Sequence, residues 1–567
     1  MGRISIPETP IAQRELLFMR ASHQFRTAFS KQYLLTSPMT KFQGLPIFLL
    51  WLILISVNLI IRPIMPIDET RYLSVAWEMW LREDFLVPYL NGETYSHKPP
   101  LLFWLMQLSW AIFGVNDISP RLISPLFALG ATYLSGFVAR EIWQGDENMA
   151  RNTPYILLGT GFWLVFSTLT MFDMLLAFFV LLAIYGVLRL SKTLALREVL
   201  LIGFAIGGGV LSKGPVVVLH ILPVALLAPW WLEKAHFRWR EWYLKLVFAL
   251  LIGAVVALAW AIPAGISGGE AYRNAIFLGQ TSGRLVKSFA HQLPFWWYLE
   301  FLPLLLLPWL LFQPLWQGIF KLRFDDYGVR FCVAWIVPIL LAFSLISGKR
   351  IHYLLPLMPA FALLFARAVN ENLEIYKWKD AYSNFWFLLG FAALALALFP
   401  LVNPIFELRA DLQALNPLWG AGLLLAMFGL TLFFCEETKH VIFYTCILSI
   451  LVPTVFAASY FDIQRARFNT KPIAKKIAQF QQAGQRLVFV TNKYHGQFQF
   501  TGKLTQPLEL VDSQNLAAWL HANPTGFVLM EANKLPDDKI LYSHAYRSGE
   551  LGFVSAKMLL NHPEFVP

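Results

Sequence analysis

Apolar runs too long for the core of a soluble domain recur along this chain, and they limit what it can fold into. In order they fall at about 45–61, 119–140, 153–170, 174–191, 198–212, 215–232, 243–263, 295–317, 329–347, 353–369, 384–402, 417–435 and 440–459. A stretch of about 18 or more apolar residues reads as a helix crossing the bilayer. Only helices and closed barrels satisfy every backbone N–H and C=O in lipid. A barrel would alternate apolar and polar residues every second position, and these runs do not. Only 14% of the residues are charged, where a soluble domain carries about a quarter. The chain therefore reads as mostly α, a polytopic membrane protein with about thirteen transmembrane helices.

Charge orients the bundle. The net charge of +11 belongs to basic loops on the cytoplasmic side, some of them meeting membrane lipid, and calls for no nucleic acid. Residues 1–44 carry Arg3, Arg14, Arg20, Arg26, Lys31 and Lys41 against Glu8 and Glu15. They form a basic cytoplasmic segment, read either as an amphipathic helix over about 11–29 or as a disordered tail. No cleavable signal peptide is visible. An odd number of spans puts the C-terminus on the other side. The connections Arg189–Arg197, Glu233–Lys245, Lys321–Arg330 and Arg367–Lys379 then fall inside and are mostly basic. Cys332, Cys435 and Cys446 lie in or beside apolar runs and suggest no disulfide framework.

Three domains follow: residues 1–44; a transmembrane domain, 45–459, whose first outer loop is 62–118; and a soluble α/β domain, 460–567. In that loop, Thr70–Arg82 has an apolar side, and Pro99–Phe113 is apolar but too short to span; both read as interfacial helices. In the last domain, helices are expected at Pro472–Gln482 and Asn515–Ala522. Strands are expected at Arg486–Thr491 and Gly526–Glu531.

Provided the Pro99 helix does not span, parity gathers the unusual polar residues on one outer face. These are Asp68, His97, Asp173, Lys213, Arg284, His291, Lys349, Arg350 and Tyr353. Charge at the edge of a bilayer is costly and points to function. Asp68 and Glu69 are neighbours, about 100° apart on a helix. One can face a reaction centre while the other caps the helix or binds Arg71. A carboxylate there can accept a proton or support positive charge at an anomeric carbon; a plain helix cap is the alternative. Lys98, before Pro99-Pro100 at a helix start, suits an anion, or else snorkels. Asp173, in T-M-F-D-M-L-L-A-F-F, is an acid against an apolar run, or a cap. Lys213, in S-K-G-P, is a turn lysine or a functional one. Arg284, in the outer loop 265–294, matches a phosphate by its planar guanidinium. Tyr353 can bond a phosphate or sugar oxygen, or anchor at the interface.

Five motifs in order resemble a known family. They are D-E-x-R-Y at 68–72, N-G-x-x-Y-x-x-K-P-P-L at 91–101, the Asp173 run, K-G-P at 213–215, and S-x-K-x-x-x-Y-x-x-P at 347–356. The series is similar to the bacterial 4-amino-4-deoxy-L-arabinose lipid A transferases, within the protein O-mannosyltransferase-like family of the GT-C membrane fold. The likeness covers about residues 45–370. It implies thirteen spans, two interfacial helices and a periplasmic C-terminal domain in the bacterial inner membrane. It also implies an undecaprenyl-phosphate-linked sugar as donor and lipid A or a related envelope glycolipid as acceptor. Asp68 and Asp173 then become the essential acids, with Glu69 beside them. Lys98, Tyr353 and Arg284, with Arg71 and Lys213, face the donor phosphate. The lipid A enzymes carry glutamate where this chain has His97, a position linked to a metal contact. His97 and His291 are therefore candidate ligands for a divalent metal, with no cofactor required. Transfer to protein or another surface glycan is the alternative within the class. A lipid-linked sugar transporter would show two related halves, and a scaffold would not need the five motifs.

Overall fold

The computed structural model describes residues 44–232, 237–279, 293–346, 348–370, 416–433, 441–533 and 535–566, with 390, 393–394 and 398 besides. The basic segment 1–43, Arg284 and His291 lie outside the described residues, as does almost all of the run expected at 384–402.

Among the described residues, seven helices are long and apolar enough to cross a membrane. They are Gly44–Ile61, Ser119–Ile142, Phe172–Thr193, Trp239–Ser267, Tyr327–Leu345, Ile351–Asn370 and Val441–Gln482. This is a multi-pass membrane protein, mostly α, as the apolar runs require. The Trp239–Ser267 helix leaves Leu244, Val247, Phe248, Leu251, Val255 and Leu258 uncovered by protein. An apolar face of that size belongs against lipid.

Three expected spans are broken in the structure. Residues 215–232 divide into Val216–Leu226 and Ala228–Leu232. Residues 153–170 divide into Glu147–Leu158 and Gly161–Ser167. Residues 295–317 divide into Trp297–Leu305, a 3-10 turn at Trp309–Leu311, and Gln313–Ile319. Pro303, Pro308 and Pro314 account for the last case, since proline lacks the N–H that continues a helix.

Two helices of the first loop pack on each other at one end of the bundle. Helix α1, Asp68–Arg82, is amphipathic and buries Tyr72, Leu73, Val75, Ala76 and Met79. Helix α2, Leu101–Phe113, has 13 residues. That is about 20 Å of helix, too short for a hydrocarbon core of about 30 Å. Gln107 donates from Nε2 to the Ala76 carbonyl at 3.3 Å, and Trp77, Phe103, Met106 and Trp110 share a core with Phe172.

Helix α3, Phe172–Thr193, and helix α4, Leu196–Lys213, run side by side. Helix α4 also lies close against helix α5, Trp239–Ser267, through glycines. A Cβ added at Gly207 would stand 2.5 Å from Val256 Cγ1, and one at Gly253 would stand 2.5 Å from Ile206 Cγ2. Small residues allow such approach in lipid, where packing replaces the hydrophobic effect as the driving force. The contact fixes α4, whose last residue is Lys213.

The chain leaves the bundle along Val441–Phe468 and turns into helix Lys471–Gln482. A five-stranded sheet follows, built from β3 Leu487–Val490, β4 Glu509–Val511, β5 Phe527–Glu531, β6 Tyr542–Tyr546 and β7 Gly549–Ser555. The hairpin β1 Tyr89–Leu90 and β2 Glu93–Thr94 belongs to the first loop. The sheet order is β4-β3-β5-β7-β6, parallel among the first three and antiparallel at β7 and β6. Helix Lys471–Gln482 covers one face; Leu516–Ala522 and Ala556–Asn561 cover the other. The expected α/β domain is present, and its two expected helices and strands fall within one residue of the observed ends. The β6–β7 hairpin was not anticipated.

Gly207→Leu should overpack the α4–α5 contact at a cost of about 1–3 kcal/mol. The expected result is a lower thermal unfolding midpoint in detergent, with Gly422→Leu, where a Cβ meets nothing within 4 Å, close to unchanged.

Candidate active site

Asp68 and Glu69 open helix α1, where the helix dipole favours acids. Ile67 holds the N-cap position, and no side chain caps the helix. The two carboxylates point into different surroundings.

Glu69 is buried. Its Oε1 accepts from Arg62 Nη2 at 3.0 Å and from the Thr170 backbone N–H at 2.7 Å. Its Oε2 accepts from Arg62 Nη1 and from the Met65 backbone N–H at 2.9 Å. Arg62 also donates to the Thr168 carbonyl at 2.8 Å, and Arg121 donates to the Arg62 carbonyl at 3.0 Å. Burial alone would raise the carboxyl's pKa. The Arg62 guanidinium, with Arg121 and the Thr170 N–H, brings it down to about 2.

Asp68 is half exposed. It pairs with Arg71 one turn on and accepts from the Tyr72 hydroxyl at 3.3 Å. Burial, Asp68 and Tyr95 hold the Tyr72 phenol well above its usual pKa, so it stays protonated and donates. The Tyr72 ring meets Phe172 edge-on at 4.8 Å, and Asp173 lies within its electrostatic reach. Tyr72 thus stands between the two aspartates.

Asp173 begins helix α3 and Lys213 ends helix α4, so each charge sits at the helix end that favours it. They form a buried ion pair at 2.5 Å, 3% and 9% exposed. Lys213 Nζ also lies 5.0 Å from the centre of the Tyr353 ring. Lys98 Nζ lies 5.6 Å from the centre of the Phe172 ring. Lys98 and His352 both stand within electrostatic reach of Asp173.

The structure therefore gathers Asp173, Lys213, Lys98 and Tyr353 in one cluster, with Asp68 and Arg71 joined to it through Tyr72. Glu69 lies behind them, with both carboxylate oxygens engaged. Arg284 and His291 lie outside the described residues. His97 stacks on Tyr95 at 5.2 Å. Among the described residues no three of His, Cys, Asp and Glu assemble as metal ligands, and the expected pairing of His97 with His291 falls partly outside those residues. Sequence reasoning passed over Arg62, Arg121, Tyr72 and His352. Arg62 and Arg121 stand at span ends, where an arginine reads as snorkelling.

The architecture has known counterparts. Over 90% of this chain and 96% of the other, it superimposes on the crystal structure of ArnT from Cupriavidus metallidurans bound to undecaprenyl phosphate, with a TM-score of 0.71 at 20% identity. The fold is of the GT-C type. Residues 97–265 match the model of the dolichyl-phosphate-mannose-protein mannosyltransferase family. The undecaprenyl phosphate-alpha-4-amino-4-deoxy-L-arabinose arabinosyl transferase of Pseudomonas aeruginosa strain PAO1 is 30% identical over 347 residues, 58% of this chain and 60% of that protein. The arabinosyl transferase 2 of Pseudomonas fluorescens is 27% identical over 351 residues, 60% of this chain and 61% of that protein. These transferases are homologues, and the chain spans about 60% of their length.

The pKa of Glu69 gives an acid-stability signature. Its stabilising contribution is complete above an unfolded pKa of about 4.5 and is lost as pH falls toward about 2. Glu69→Gln should flatten that acid limb of the unfolding profile. Glu69→Ala, which leaves Arg62 and Arg121 uncompensated, should cost roughly 3–5 kcal/mol, seen as a lower midpoint at neutral pH.

Proposed function

We propose that this protein is an inner-membrane glycosyltransferase, moving a sugar from an undecaprenyl-phosphate donor to lipid A or a related envelope glycolipid. The Asp68 face and the C-terminal domain are periplasmic in this reading, which follows from the basic connections on the opposite side. The observation that carries it is the buried Asp173–Lys213 pair flanked by Lys98, Tyr353 and, through Tyr72, Asp68. It stands in a fold shared with a transferase crystallised with undecaprenyl phosphate.

The donor phosphate leaves as an ion, so no general acid is required to protonate it. Lys98 supplies the positive charge, and Lys213 and Tyr353 complete the cradle, with Arg284 assigned there from the sequence alone. Such preset charge stabilises the leaving group without reorganisation at the moment of reaction. The acceptor attacks from the opposite side with inversion. Asp68, half exposed beside Arg71, accepts its proton or orients its nucleophile. Asp173 holds Lys213 in place and supports positive charge at the anomeric carbon. Glu69, with both oxygens occupied, acts as a positioning residue. It joins helix α1 to the turn that delivers Asp173.

The sugar is left open within the class, because His97 stands where the lipid A enzymes carry glutamate. The family description of residues 97–265 names protein as the acceptor, and that makes protein the second reading.

Lipid A from cells with and without the protein should differ by one sugar mass, found only with the unmutated chain. Asp68→Asn should lower transfer roughly 10²–10⁴-fold, the usual worth of a positioned base. Asp173→Asn and Lys98→Ala should abolish it while folded protein remains in the membrane. An unchanged lipid A with a sugar appearing on protein would move the acceptor to the second reading. Normal turnover in all three variants would overturn the site.

A further inference from the structure

The C-terminal domain reaches into the site. Its segment from Lys493 to Leu508 is fastened to helix α1 and the β1–β2 hairpin. The Ser74 hydroxyl donates to the Gly496 carbonyl at 2.6 Å and accepts from the Phe500 N–H at 3.2 Å. Trp77 Nε1 donates to the Leu504 carbonyl at 2.9 Å. Asn91 bridges Leu508 and Gln499. Gly496 (φ +70°) packs so tightly on Leu90 that a Cβ there would stand 2.4 Å from Leu90 Cδ1.

This fastening brings His495, next to Gly496, against helix α1, the helix that Asp68 opens. The charged groups within its electrostatic reach are three cations, Arg71, Lys493 and Arg547, and one acid, Asp68. Lys493 follows β3, and Arg547 sits in the turn between β6 and β7, so two separate loops of the sheet bring charge within reach of His495. Both side chains are exposed. Arg71, besides pairing with Asp68, keeps a buried Nε–H without a partner. Around His495 three cations outnumber one acid, a balance that favours an added anion. The donor-side cations, Lys98 and Lys213, lie beyond Tyr72 at Asp173.

We propose that Lys493, His495 and Arg547 of the C-terminal domain, with Arg71, form a second anion subsite that holds a phosphate ester of the acceptor against Asp68. The inference rests on the transferase reading above and deepens it, making the C-terminal domain part of acceptor recognition. A phosphate could arrive there from the acceptor or from the donor lipid, and the experiment separates the two.

The full chain in lipid nanodiscs is tested with three probes: lipid A carrying its phosphates, dephosphorylated lipid A, and undecaprenyl phosphate. The Lys493→Ala/Arg547→Ala double variant should bind phosphorylated lipid A about ten-fold more weakly, because two charge-assisted contacts to phosphate are lost. Its binding of undecaprenyl phosphate should not change. His495→Gln should give a smaller loss of the same kind. Dephosphorylated lipid A should bind weakly and alike to all forms. Unchanged binding of phosphorylated lipid A, or its absence in the unmutated chain, would overturn the inference. An equal loss of undecaprenyl phosphate binding would also overturn it, placing the rim on the donor side. Failure of the unmutated chain to bind undecaprenyl phosphate would instead overturn the transferase reading.

Discussion

One buried carboxylate holds the two halves of the site in register. Glu69 accepts from Arg62, which follows the first span, and from the Thr170 N–H, three residues before Asp173. Arg62 in turn is held by the Thr168 carbonyl and gives its own carbonyl to Arg121. Asp68 is Glu69's neighbour in sequence. The separation of Asp68 and Asp173 is therefore set by a network that neither aspartate belongs to. Such a network is high-stakes, because removing one member strands buried charge. That cost makes it a rigid rule for placing two acids that come from distant parts of the chain.

The second pair, Asp173 with Lys213, works by a different economy. Both groups are buried, yet each occupies the helix terminus that suits its sign. The dipoles of α3 and α4 offset part of the desolvation that burial imposes. Lys213 reaches Asp173 because α4 is locked laterally against α5 by the glycine contact at Gly207 and Gly253. Packing deep in the bundle thereby fixes charge at its edge, and Phe172, touched by Tyr72 and Lys98, carries the same register to the first loop.

Much of this was legible in the sequence, because lipid makes charge conspicuous. Asp173, Lys213, Lys98 and Tyr353 stand out as polar residues at the ends of apolar runs, and the structure brings them together. The two short helices of the first loop were legible for a related reason, one by its amphipathic face and one by its length. What stayed hidden depended on long-range pairing or on turns without the usual residues. Arg62 and Arg121 look like ordinary end-of-span arginines until Glu69 and Thr168 are seen beside them. The β6–β7 turn places Arg547 at φ +53°, where glycine or asparagine would have announced a hairpin. The run 295–317 reads as one span by hydropathy, and only its three prolines hint that it is broken.

The C-terminal domain is joined to the site by more than a linker. Phe500 is fully buried, stacked on Trp110 at 5.2 Å and set edge-on to Trp77 at 6.3 Å. Burying a phenylalanine contributes about 1.5–3 kcal/mol, which a tether would not need. Beside it Lys503 spans Phe500 and Trp77 and reaches Asp117 at 3.5 Å, and Lys471 pairs with the same acid. Partial burial draws Lys503 down to about 8, against the pull of Asp117. Helix α1 is consequently clamped on two sides, by the Glu69 network toward the bundle and by the Phe500 wedge toward the sheet. Together the two contacts hold this 15-residue helix in one orientation. Asp68, at the start of that helix, takes its position from both.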